Sequence, residues 1–150
     1  LESGGILSKI KRKRDKKYNG ELAGILPITI RFSSDDARHL KMEPHTALEQ
    51  MAEGLGDGDS FNTILLRLNT GKILAERIFN DDAVLVMCAG LVAMIEVNAR
   101  HCRMEKWGIS PDEREAVGEA LVLADDIQDG TTRREQLKAM KYVVRTAHYV

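Results

Sequence analysis

The chain has 150 residues, 43% apolar and 30% charged, a balance that fits one globular domain and excludes a disordered or membrane-type composition. Only 5% of residues are aromatic, and 12 Gly with 3 Pro leave few turn signals, which argues against a β-sandwich or barrel. The formal charge of -1 hides an asymmetry: residues 1–17 hold seven Lys or Arg against two acids, and the remainder holds 15 bases against 21 acids.

In chain order, Leu1-Glu2-Ser3-Gly4-Gly5 reads as a linker or cloning remnant. Residues 6–20 form a basic arm carrying Lys9, Lys11, Arg12, Lys13, Arg14, Lys16 and Lys17. Like charges this dense repel, so the arm is expected to be disordered or only transiently helical when unbound. Residues 21–150 form the body. Its first part, 25–32, is β-branched and extended in character, and Pro27 restricts it to an edge strand or a segment lying on the body. Ser33 to Asp36 could cap a short helix to about Lys41, and Pro44 opens another that Gly54 ends.

Asp59 or Ser60 is the expected N-cap of a helix of about 19 residues. Its apolar stripe is Phe61, Ile64, Leu65, Leu68, Ala75 and Ile78. Gly71 inside it predicts a close helix crossing. Asn80-Asp81-Asp82 caps the next helix, whose residues 83–95 are all apolar or Gly. Thirteen residues span about 20 Å, short of a bilayer core, so no membrane crossing is expected. This predicts a central bundle helix, or one half buried by a second copy in a homodimer. It should end at Gly108, after Trp107. Ser110-Pro111-Asp112-Glu113 combines an N-cap, an N1 proline and a capping box, and opens a helix to about Ile127. Gly130 ends it, and Thr132 with Glu135 opens the last helix, to about His148. The expected fold is therefore all-α: an antiparallel bundle of about five helices behind an extended basic arm.

The arm is the strongest functional cue, because clustered Lys and Arg neutralise phosphates and release counterions. A solvated or self-docked tail, or an acidic protein partner, are the alternatives. The last two helices are oppositely charged: seven acids lie in 111–130 and five bases in 133–145. Arg134, Lys138, Lys141 and Arg145 make one stripe of the last helix. Leu137, Met140, Val144 and Ala147 make a second, expected to face the core. The pair superficially resembles a helix-turn-helix, with Arg133 and Arg134 where base-reading residues would begin. The long first helix and the aspartates at its end count against that, and two arginines oppose the dipole of the helix they open. The favoured reading is an acidic helix packed antiparallel on a basic one. An anion held at 131–134 is a secondary possibility.

Asp125-Asp126-Ile127-Gln128-Asp129 resembles the magnesium-binding DDxxD signature of isoprenyl diphosphate synthases, but no second copy of it exists in the chain. His101 and Glu105 share a helical face beside Cys102, too few for a zinc site, and His39, His45 and His148 have no ligand spacing. Cys88 reads as a core residue, and two such cysteines give no disulfide framework, so a reducing cytosol is expected. There is no phosphate loop or nucleophile elbow. No cofactor, metal or enzymatic activity is expected.

Three stretches carry a family resemblance: Leu66-Arg67-Leu68-Asn69-Thr70-Gly71-Lys72-Ile73-Leu74-Ala75, Trp107-Gly108-Ile109-Ser110, and Ala120 to Asp126 ending in Thr132-Arg133-Arg134-Glu135. Over roughly residues 30–148 the chain resembles uncharacterised helical accessory proteins of bacterial phages, plasmids and integrated elements. That implies a bacterial cytoplasmic protein acting on nucleic acid or a host macromolecule, and brings no site residues. The expected function is a small non-enzymatic binding protein whose arm contacts DNA or RNA backbone. The alternative is an inhibitor or adaptor that uses the acid-rich 111–130 helix through Glu115, Glu119 and Asp126.

Overall fold

The computed structural model describes residues 43–147. Among these there are five helices and no strand: α1 (Pro44–Ala52), α2 (Gly58–Ile78), α3 (Asp81–Met104), α4 (Pro111–Asp129) and α5 (Arg133–Ala147). The basic arm, the 25–32 segment and the proposed helix at 35–41 lie outside the described residues.

Local chemistry sets most helix ends. Ser110 Oγ accepts from Glu113 N at 3.2 Å while Glu113 Oε1 accepts from Ser110 N at 2.8 Å, the reciprocal box expected there. Thr132 and Glu135 repeat it at the start of α5. Asn80 caps α3 by accepting from the amides of Asp82 and Ala83. Two ends differ from expectation. The N-cap of α2 is Asp57, whose carboxylate accepts from Ser60 N at 2.9 Å. The helix therefore starts at Gly58, earlier than the 59–60 position. Helix α3 ends at Met104, with Glu105 in the left-handed region (φ 57°), ahead of Gly108.

Helix α2 is the centre of the bundle, and not α3. Of its 21 residues 16 are buried, and it packs against α1, α3, α4 and α5. Only eight of the 24 residues of α3 are buried, because one face packs on α2 and α4 while the other meets solvent. At 24 residues α3 is long and apolar enough, by length and composition, to cross a bilayer. Its buried face packed against α2 and α4 is what a core helix also shows.

The expected crossing at Gly71 is present. A Cβ there would come within 2.6 Å of Met87 Cε and 3.3 Å of Ala124 Cβ. The same seam continues at Gly90, against Ala120. These small residues let α2, α3 and α4 approach one another.

Helix α5 departs from expectation in partner and in face. It packs on α2, while acidic α4 packs on α1, α2 and α3. The acidic and basic helices thus do not form the expected antiparallel pair. The core side of α5 is Ala139 and Val143; Leu137 and Met140 are exposed. Apolar side chains at 137, 139, 140, 143 and 144 wrap around more than one stripe. Ala139 and Val143, one turn apart, are small enough to let α5 lie close to α2.

Candidate functional site

Two surfaces and one buried polar pair carry the chemistry of the described residues. The first surface is the outer face of α5. Arg133, Arg134, Lys138 and Lys141 are exposed and, with Leu137, line a shallow groove of about 430 Å³. None of the four makes an ion pair with a described residue. Arg77 of α2 and Arg145 of α5 set their guanidinium carbons 5.3 and 6.0 Å from the Tyr142 ring centre, next to this face. The first-turn amide of Glu135 is already taken by Thr132 Oγ1 at 3.1 Å. The cationic side chains therefore dominate anion attraction at this end of α5, with the partial charge of the helix start adding to them.

The second surface is a groove of about 1040 Å³ between α1 and α4. Its floor is apolar, with Leu48, Ala52, Ile109, Pro111 and Val122, and Glu115 and Glu119 stand on its rim. At one end Arg67 Nη2 donates to Asp125 Oδ1 at 2.7 Å, and Asp125 Oδ2 lies 2.8 Å from His45 Nε2. Burial alone would raise the Asp125 carboxyl. Its hydrogen bonds from Arg67 and His45 outweigh that and hold it below the usual carboxylate range. Arg114 Nη2 donates to Glu49 Oε1 at 2.6 Å and ties α4 to α1.

Between α3 and α4 a bidentate pair sets the junction. Arg100 donates to both oxygens of Glu113, at 3.0 and 2.7 Å, and to Gly108 O at 3.2 Å. The Arg100 bond, with the Ser110 amide, depresses the Glu113 carboxyl against the opposing effect of burial. Trp107 is held by His101, stacked at 3.6 Å between ring centres, and by Phe61 at 4.6 Å.

A feature that sequence reasoning missed lies in the core. Lys72 Nζ and Glu76 Oε1 are 2.7 Å apart, with side chains only 3% and 0% exposed. Their i, i+4 spacing signals a pair, but only the crowding around α2 buries it. Cys88 senses both charges. Burial pushes its thiol up, Lys72 opposes this and Glu76 adds to it. A raised thiol holds little thiolate at neutral pH, a poor state for a nucleophile.

The arm residues Lys9, Lys11, Arg12, Lys13, Arg14, Lys16 and Lys17 lie outside the described residues. Arg133 and Arg134 lie together on the cationic face, which also holds Lys138 and Lys141. The three aspartates of the DDxxD stretch do not converge: Asp125 is paired at the groove, Asp126 is buried and Asp129 is exposed. Asp126 is accordingly no part of an acidic surface, unlike Glu115 and Glu119. Among the described residues no group of three His, Cys, Asp or Glu stands close enough to hold a metal ion. No protein-family model, curated protein or solved structure matches this chain.

Proposed function

We propose that this chain is a small non-enzymatic binding protein that engages the phosphate backbone of nucleic acid. The contacts are the cationic face of α5 and the lysines and arginines of residues 9–17. The observation that supports it is the grouping of Arg133, Arg134, Lys138 and Lys141, exposed around one groove without an acidic partner among the described residues. Cations left unpaired on a chain with a net charge of -1 are available to an external polyanion. Phosphate contacts of this kind position a protein and carry no sequence preference by themselves. The resemblance to accessory proteins of bacterial mobile elements favours a cytoplasmic setting.

The test is binding of the whole protein to a labelled random-sequence duplex at about 50 mM salt. Replacing Arg133, Arg134, Lys138 and Lys141 with Ala should weaken binding by at least tenfold. Replacing Lys11, Arg12, Lys13 and Arg14 should do the same independently. Undiminished binding by the α5 variant removes that helix from the interface. Failure of the wild-type protein to bind any duplex or single strand, with retention on anionic vesicles, replaces the reading with a membrane-surface one.

A second reading rests on the groove between α1 and α4. An apolar floor rimmed by Glu115 and Glu119 suits a basic amphipathic segment of a protein partner. On this reading, substitution of Glu115 and Glu119 by Lys abolishes partner capture and leaves duplex binding intact.

A further inference from the structure

Beside the face of α3 that packs into the bundle runs a second apolar stripe, whose inner edge at Cys88 still touches the core. Leu85, Cys88, Val92, Ile95, Ala99 and Cys102 follow one another at steps of three, four, three, four and three. Leu85 is 67% exposed, Val92 49% and Ile95 36%, while Cys88 and Ala99 are half-buried and Cys102 is exposed. A helix that serves only its own core has a polar outer face. Here the outer face has the 3.5-residue repeat of a two-helix seam, sustained over about 26 Å at 1.5 Å per residue.

From this we infer that α3 pairs with α3 of a second copy of the chain, antiparallel, across a two-fold axis between Val92 and Ile95. The choice of occupant comes from self-complementarity. In that register every seam residue meets a seam residue. Leu85 faces the partner's Cys102, Cys88 faces the partner's Ala99, and Val92 faces the partner's Ile95. Nothing overhangs, and the symmetry repeats each contact, as an isologous interface requires.

The flank of the stripe decides the direction. Asp82, Ala89, Glu96 and Arg103 are all exposed and recur every seven residues beside the seam. Antiparallel pairing sets Asp82 against the partner's Arg103 and Glu96 against the partner's Ala89, with no like charges opposed. Parallel pairing puts the two flanks on opposite sides of the seam, so neither of these charges meets its complement. Antiparallel packing also aligns the two helix dipoles favourably. This pairing does not rest on the nucleic-acid reading; if both hold, the two cationic faces act from one particle and reinforce each other.

The experiment uses the full chain. Size-exclusion chromatography with light scattering at micromolar concentration should give twice the chain mass of 16.8 kDa. Val92→Glu should reduce that to one chain mass with helix content unchanged, because the side chain lies outside the bundle core. Asp82→Arg should weaken the dimer, and Asp82→Arg with Arg103→Asp should restore it. Register is read by a Leu85→Cys, Cys88→Ser variant oxidised with oxidised glutathione. Its introduced thiol should join the partner's Cys102, as mapped by mass spectrometry of the linked peptides. A wild-type monomer at these concentrations overturns the pairing and assigns the stripe to residues 1–42 or to another protein. A dimer that survives Val92→Glu, or a crosslink between the two introduced thiols, overturns the interface or its direction.

Discussion

Gly90 of α3 lies against Ala120 of α4 so closely that a Cβ on Gly90 would come within 2.6 Å of the Ala120 Cβ. Neither backbone can give way without moving a helix, because the Ala116 carbonyl stands 3.4 Å away on the same side. Gly90→Ala should therefore destabilise by about 1–3 kcal/mol despite its better helix propensity. Gly118 in α4 is the contrast, since its nearest neighbour would be Leu48 Cδ2 at an ordinary 3.8 Å. Gly118→Ala should stabilise by up to about 1 kcal/mol. Chemical denaturation of the two variants separates close approach from propensity.

The buried pair in α2 gives a sharper contrast. Lys72→Met alone removes the cation 2.7 Å from the buried Glu76 carboxylate and should cost about 3–5 kcal/mol. The double change Lys72→Met with Glu76→Leu replaces the pair by apolar side chains of similar volume. It should be close to neutral or stabilising. A double-mutant cycle in urea measures the coupling, and additive losses would contradict it.

Glu105 closes α3 in the left-handed region, where a side chain is strained and glycine is not. Glu105→Gly should raise stability by about 0.5–1 kcal/mol, read as a rise in thermal midpoint. Glu105→Val should lower it.

Acid sensitivity follows from Glu113 and Asp125, both held below their ordinary values in the fold. The unfolded chain binds protons at a higher pH than the folded one at these two groups. Their contribution is complete above the ordinary carboxylate range and is lost as pH falls through the depressed folded values. The thermal midpoint should be flat from neutral pH to about pH 5 and fall below that. Glu113→Gln should cost about 1.5–3 kcal/mol at neutral pH, because it loses a charge-assisted pair with Arg100. It should also flatten the acid limb.

Features that depend on a few neighbouring residues were legible in the sequence. The boxes at Ser110 with Glu113 and Thr132 with Glu135, the cap at Asn80 and the crossing at Gly71 all appear where local chemistry places them. Features that depend on distant partners were not. The expected pairing of acidic with basic helix follows from charge, yet α5 docks on α2 because Ala139 and Val143 bury apolar surface there, and exposed ion pairs contribute little beside that. Residues 83–95 read as the centre because they are apolar all round. The centre is instead α2, where Asn69 donates to the Leu65 carbonyl and Lys72 pairs with Glu76, so that these polar side chains can be buried. The cationic face of α5 was visible as a stripe in the sequence; that it stays unpaired depends on where α4 goes.

The most direct measurement of the central claim is the salt dependence of duplex binding. The logarithm of the affinity should fall linearly with the logarithm of salt concentration, each neutralised phosphate contributing about 0.9 to the slope. Replacing Arg133, Arg134, Lys138 and Lys141 together by Ala should reduce that slope by about 3 to 4 per chain. A slope unchanged by the four substitutions would show that the outer face of α5 meets no phosphate.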